Sequence, residues 1–222
     1  MDNARLVELL QPFAPGIELP AKLVEQLQLY LDLLLRWNAR MNLTAVRDPE
    51  QIVTRHFGES LFAAQALKRH IERPKTLADI GSGAGFPGIP IRLFIPELQL
   101  TLIESQNKKA TFLREVIRAL RLENANVFCG RAEEWSEKAN VVTLRAVEQF
   151  ARVLPVATGL VADSGELCLL ISVGQLDAAS HLLGANWQLS EPILVPNSSS
   201  RSILIGHRAG EYTPSRENTD IL

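Results

Sequence analysis

Asp79, Gly81, Gly83, Gly85 and Glu104 are the residues in this 222-residue chain whose types and spacing point to chemistry first. In Thr76-Leu77-Ala78-Asp79-Ile80-Gly81-Ser82-Gly83-Ala84-Gly85-Phe86-Pro87-Gly88 a short apolar run carries an acid near its end. Three glycines follow at alternate positions, and a helix then opens on prolines. That order predicts a buried strand, a tight loop and a helix N-terminus turned toward a ligand. Glycine serves where the backbone takes positive φ, or where a ligand lies on the main chain with no Cβ between. Alone, such a loop suits a nucleotide, a dinucleotide or S-adenosylmethionine.

Two registers compete. Gly83-Ala84-Gly85-Phe86-Pro87-Gly88 matches the dinucleotide pattern G-x-G-x-x-G, a weak signal in isolation and the basis of an alternative reading as a nicotinamide-dependent oxidoreductase. The predicted strand ends at Ile80, which makes Gly81-x-Gly83-x-Gly85 the natural register. Asp79 is an odd neighbour for a pyrophosphate, whereas its carboxylate suits the cationic amino group of S-adenosylmethionine. A second predicted strand, 98–103, runs into Glu104, roughly 20 residues past the glycines, where an acid accepts from ribose hydroxyls. A third ends at Cys129-Gly130-Arg131-Ala132-Glu133-Glu134, a segment suited to the adenine edge. Successive acid-bearing strand ends favour a site, because ligands bind outside the carboxyl ends of such strands.

The elements that must position these residues alternate. From Pro74 onward, strand-like runs at 76–80, 98–103, 126–129, 140–144 and 166–171 are separated by helical runs that include 87–95, 105–120 and 147–162. This predicts βαβ units and a parallel sheet covered on both faces. Two further runs, 187–195 and 201–207, flank Pro196-Asn197-Ser198-Ser199-Ser200 and predict an antiparallel final hairpin. Ahead of the sheet, residues 2–13 read as a short amphipathic helix broken at Pro15-Gly16. Leu23, Leu27, Tyr30, Leu34, Trp37 and Met41 then form the apolar stripe of a long helix opened by Pro20. Asp48-Pro49-Glu50-Gln51 starts another helix with a cap and a first-position proline. Between the two helices, 40–47 reads from spacing alone as a plain loop. The expected organisation is a helical extension over 1–72, a core domain over 73–210 and a polar tail over 211–222.

Hydrophobic content of 46% with 22% charged residues is that of a globular chain with a sizeable core. The polar start and the lack of a long apolar run argue against a secretory signal or a membrane span. Cys129 and Cys168 sit in apolar strand-like runs, so a reducing cytoplasm is the expected location. The net charge of −2 argues against indiscriminate coating of nucleic acid but permits a local basic face. Arg36, Arg40, Arg47, Arg55, Lys108, Lys109, Arg114 and Arg118 cluster in sequence around the proposed opening. Arg131, Arg145 and Arg201 lie at or beside strands that converge on one end of the sheet. The four histidines are isolated, and no metal site is expected.

Asn42-Leu43-Thr44-Ala45-Val46-Arg47-Asp48-Pro49, Arg55-His56-Phe57, the stretch Asp79–Pro90 and Lys109-Ala110-Thr111-Phe112-Leu113-Arg114-Glu115 together resemble the RsmG family, also called GidB. These are bacterial 16S rRNA guanine-N7 methyltransferases. The resemblance implies a class I, Rossmann-like methyltransferase fold: an α/β architecture with a mostly parallel seven-stranded sheet, an antiparallel final hairpin and an N-terminal helical extension. It implies S-adenosyl-L-methionine as cofactor, held by Gly81, Gly83, Phe86, Glu104, Ala132, Glu133 and Arg145, beside the Asp79 and Gly85 of the loop. It associates Asn42, Arg131 and Arg201 with activity or RNA contact, which moves Asn42 out of the plain loop. The implied partner is 16S rRNA or the small ribosomal subunit. The chain departs from the family pattern at Val173, where a lysine is usual, and at Glu148.

Guanine N7 has an in-plane lone pair and no proton, so the implied reaction needs no general base. Alignment and electrostatic support carry it. The end of the fourth predicted strand, Thr143-Leu144-Arg145-Ala146, lacks the Asn/Asp-Pro-Pro-aromatic motif of amino-group methylation, in keeping with that implication.

Overall fold

The structure, a computed structural model, describes residues 1–71, 75–147 and 149–210. The expected tail at 211–222, the boundary at 72–73, Pro74 and Glu148 lie outside these residues.

Four helices precede the sheet. Asp2 caps α1 (Asn3–Leu10) through Oδ1, which accepts from the Arg5 amide at 2.8 Å. Pro20 opens α2 (Ala21–Asn38), which buries Leu23, Leu27, Tyr30 and Leu34 as the spacing required. The helix stops short of Met41 because Asn38 Oδ1 accepts from the amides of Leu43 and Thr44, at 2.9 and 3.1 Å, and folds the chain back. Asp48 caps α3 (Pro49–Ile52). A widened π-helical turn, Val53–Gly58, joins α3 to α4 (Glu59–His70), so the expected helix carries an irregularity that apolar spacing does not announce.

The sheet order is β3-β2-β1-β4-β5-β8-β6, with β7 also paired to β8. Strands β1 (Thr76–Ile80), β2 (Gln99–Glu104), β3 (Ala125–Cys129), β4 (Ala139–Arg145) and β5 (Val161–Ser172) run parallel; β8 (Arg201–Arg208) lies antiparallel to β5. The connecting helices are α5 (Gly88–Phe94), α6 (Asn107–Ala119), α7 (Phe150–Leu160) and α8 (Leu176–Leu183). The expected run 187–195 is instead two short strands, β6 (Trp187–Leu189) and β7 (Ile193–Leu194). Pro192 offers no N–H between them, and the Ser190 hydroxyl takes the Ile205 amide at 3.1 Å. This brings the sheet to eight strands. Helix α8 adds an element to those expected, and Leu176, Ala179 and Leu183 fall at helical spacing along it.

Side-chain alternation along the strands splits the core in two. Leu77, Leu100, Leu102, Val141, Cys168 and Ile203 face a cluster that includes Leu6, Leu27, Tyr30, Phe57, Leu61 and Phe112. Ala78, Ile80, Ile103, Val142, Leu144, Leu167 and Leu204 face Leu154, Leu160, Leu183 and Trp187. The N-terminal helices therefore share a continuous core with the sheet. No helix among the described residues is long and apolar enough to cross a membrane.

Candidate active site

A cleft of about 450 Å³ opens at the carboxyl ends of β1 to β4. Its walls are Gly81 after β1, Glu104 at the end of β2 and Gln106 beyond it, Gly130 to Glu133 after β3, Ala146 and Val147 after β4, and Gln149, Arg152 and Val153 at the start of α7. The strand ends read from the sequence thus converge, as parallel βαβ topology requires.

Gly81, Gly83 and Gly85 all take positive φ, at 65°, 59° and 94°. The amides of Gly81 and Ser82 donate to the Ile103 carbonyl, at 2.9 and 3.1 Å, and lock the loop against β2. The Gly83 amide donates to Glu104 Oε2 at 2.9 Å, and the Gln106 amide to Oε1 at 2.8 Å. Glu104 is thereby fixed, and each oxygen keeps a lone pair for a hydroxyl donor. A Cβ added at Gly83 would meet no protein atom nearer than 3.7 Å, so its space is open to a ligand.

Gly85 differs. A Cβ there would strike the Tyr30 hydroxyl and, at 2.5 Å, Ile89 Cδ1, so this glycine serves packing against the N-terminal helices. The structure does not bring Asp79 to the cleft either. It is fully buried; Oδ1 accepts from the Thr143 hydroxyl at 2.7 Å and Oδ2 from the Gly88 amide at 3.2 Å. Burial pushes its carboxyl up to about 6, against the pull of those hydrogen bonds. Asp79 thus sits where α5 begins, the place that a pyrophosphate takes in the dinucleotide register.

Phe86 and Arg145 also leave the cleft wall. The Phe86 ring turns toward the helices and packs on His56, Tyr30 and Phe57, with centroids 4.8, 5.4 and 5.4 Å away. Arg145 is buried, and the two N–H groups of its Nη2 are shared among the Arg55 carbonyl at 2.6 Å, Glu59 Oε2 at 2.9 Å and His56 Nδ1 at 3.0 Å. Its guanidinium also stands 6.0 Å from the Phe86 ring centroid. Since β4 ends at Arg145 and the next two residues line the cleft, this cluster lies beside the cleft and not within it.

Glu59 joins the cluster together. Its Oε1 takes Arg201 Nε at 2.8 Å while Oε2 holds Arg145. On the other side His56 Nε2 lies 2.9 Å from Thr44 Oγ1. Arginine only donates, so His56 Nδ1 accepts and its Nε2–H donates to Thr44. The chain Thr44–His56–Arg145–Glu59–Arg201 thus connects the loop after α2, the π turn, β4, α4 and β8. Asn42 is exposed on that same loop, where its Oδ1 accepts from Arg47 at 3.0 Å.

Of the residues expected at the cofactor, Gly81, Glu104, Ala132 and Glu133 line the cleft, with Gly83 held to Glu104. Arg131 also lines it, exposed, while Glu133 stands 3.7 Å from Arg152 of α7. Val173 is exposed just beyond β5. Glu59, His56, Thr44, Tyr30 and Arg152 were not singled out from the sequence as site residues. His56 and Thr44 fall in stretches that carried the family resemblance, and Tyr30 in the apolar stripe of the long helix; Glu59 and Arg152 lack local signals because their partners are distant in sequence. Among the described residues, no group of three or more His, Cys, Asp or Glu side chains could hold a metal ion.

Residues 23–186 match the GidB family profile, described as rRNA small subunit methyltransferase G. A relative named ribosomal RNA small subunit methyltransferase G from Xanthomonas euvesicatoria pv. vesicatoria is 42% identical over 185 residues, 82% of this chain and 84% of its own length. Its namesake from Chloroflexus aggregans is 37% identical over 213 residues, covering 90% of this chain and 88% of the other. Among solved structures, the ribosomal protein L11 methylase from Lactobacillus delbrueckii subsp. bulgaricus superposes with a TM-score of 0.58 at 13% identity. That match covers 70% of this chain and 79% of the other, and it bears on the fold alone.

Proposed function

This chain belongs to the GidB family, rRNA small subunit methyltransferase G, and from that membership we propose that it methylates N7 of a guanine in small-subunit (16S) rRNA with S-adenosyl-L-methionine as donor. The observation that carries the cofactor assignment is the cleft at Gly81–Gly83 and Glu104. Its glycine leaves open space, its fixed carboxylate suits ribose hydroxyls, and the dinucleotide register is disfavoured because Asp79 takes the start of α5. Bound there, the cofactor supplies an electrophilic methyl group. Gly81 and Gly83 would admit it to the backbone, Glu104 would accept from its ribose hydroxyls, and Ala132 and Glu133 would lie on the adenine side.

Guanine N7 presents a lone pair without a proton, so no side chain has to act as a base. The work of the protein is alignment and electrostatic support for the cationic purine product. Arg201 and Arg131, together with Asn42, form the substrate side, with Glu59 and the buried Arg145 fixing Arg201 from behind; the two guanidinium groups suit the phosphates that flank an extruded base. The basic side chains of Arg36, Arg40, Arg55, Lys108, Arg114 and Arg118 are exposed, available for a structured RNA.

The test is to incubate the chain with labelled S-adenosylmethionine and undermethylated small subunits or deproteinised rRNA, then map the labelled base. Label at a guanine N7 is the expected result. Cofactor binding without transfer would refute the enzyme and leave a non-catalytic RNA-binding relative.

A further inference from the structure

We propose that Tyr30, a residue of the N-terminal helices, is a positioning residue for the cofactor cleft, its hydroxyl holding the glycine loop in its binding conformation through the Ala84 carbonyl. This rests on the cofactor assignment just given.

Tyr30 is fully buried in α2, its ring 5.4 Å from Phe86 at an interplanar angle of 18° and 5.2 Å from Phe57. Its hydroxyl donates to the Ala84 carbonyl. Ala84 stands between the two glycines that face opposite ways. On one side the Gly83 amide donates to Glu104, and the space of its absent Cβ is open. On the other, the space of the Gly85 Cβ is filled by the Tyr30 hydroxyl and Ile89. One side chain from the extension therefore fixes the peptide that precedes Gly85 and lies next to the residue holding the ribose-binding acid. Burial raises the Tyr30 pKa well above its ordinary value, so the hydroxyl is a proton donor under working conditions.

A plain core role makes a different demand. Phenylalanine would fill the ring position equally well, yet it would leave a buried carbonyl without its donor. The seam between extension and domain is thus also a control point on the cofactor loop, and the helices ahead of the sheet take part in cofactor binding without touching the cofactor.

The experiment compares full-length wild type, Tyr30→Phe and the core control Leu27→Ala. It measures S-adenosylmethionine affinity by calorimetry, melting temperature, and amide exchange at Gly83 and Gly85. Tyr30→Phe is expected to weaken cofactor binding roughly tenfold, the scale of one buried hydrogen bond. It should also speed exchange at both glycines, with the KM for rRNA unchanged. Leu27→Ala is expected to lower the melting temperature at wild-type cofactor affinity. Wild-type affinity in Tyr30→Phe, or an equal loss in Leu27→Ala, would overturn this role alone. Failure of the wild-type chain to bind cofactor would overturn the cofactor assignment and this role with it.

Discussion

Glu59 Oε1 and Arg201 Nε meet at 2.8 Å, joining the first turn of α4 to the first residue of β8, while the other oxygen of Glu59 holds the buried Arg145. One carboxylate thus sets the spacing of two guanidinium groups beside the cleft. Two cations at this separation repel each other, and the shared anion is what lets them stand together.

Glu59→Gln removes that charge and keeps the shape. Breaking a buried pair leaves an uncompensated cation, so unfolding stability should fall by about 3 kcal/mol. S-adenosylmethionine affinity should stay near wild type, while the KM for rRNA rises. Chemical denaturation, calorimetry and steady-state kinetics check the three effects; a selective loss of cofactor affinity would place Glu59 on the wrong side of the site.

Arg201→Ala should lower methylation with cofactor affinity nearly intact, because the Arg201 side chain is 29% exposed at the rim and has no place in the cleft wall. Glu59 still keeps Arg145, so the stability cost should be smaller than for Glu59→Gln. A parallel loss of cofactor binding would refute this division.

Gly83→Val and Gly85→Ala should fail for different reasons. At position 83 the added atoms enter open space, so the variant should fold, at a cost of about 1–2 kcal/mol for the left-handed backbone, and lose cofactor binding. At position 85 even one methyl collides with Tyr30 and Ile89, so Gly85→Ala should lose stability first. Thermal melts with and without S-adenosylmethionine separate the two.

His56 should remain neutral. Burial, aided by Arg145, Arg55 and Arg201, pushes its pKa down from 6.5 to about 3. A base whose folded pKa is depressed contributes stability above its unfolded pKa, and loses it as pH falls through 6.5 toward about 3. Nitrogen-detected NMR should show one neutral tautomer, protonated at Nε2, from about pH 5 to 8. A titration midpoint near the ordinary imidazole value would contradict the hydrogen bonds assigned to Arg145 and Thr44.

The glycine loop, the acid that ends β2 and the turn after β3 were legible because each is a local pattern: strand, tight turn, helix start. Parallel topology then brings successive strand ends together. Legibility failed where a residue's partner is remote. Asp79 and Phe86 share the loop's sequence but turn from its cleft, one under α5 and one into the helices. Gly85 looks like its neighbours in the chain, and only Tyr30 pressing on it reveals its different task. The helical spacing of Leu176, Ala179 and Leu183 in α8 and the break at Pro192 are by contrast local signals.

By itself the sequence determined the alternation of strands and helices, the apolar stripe of α2, the cap at Asp48, and the glycines that turn the chain after β1. These follow from backbone sterics and periodic burial, which act over a few residues. Only the tertiary structure decided that Arg145 and Arg201 share Glu59, that His56 is buried beside Arg145, and that Tyr30 reaches Ala84. Those depend on which side chains meet across the seam between the helices and the sheet, where burial sets the strength of each charge and hydrogen bond.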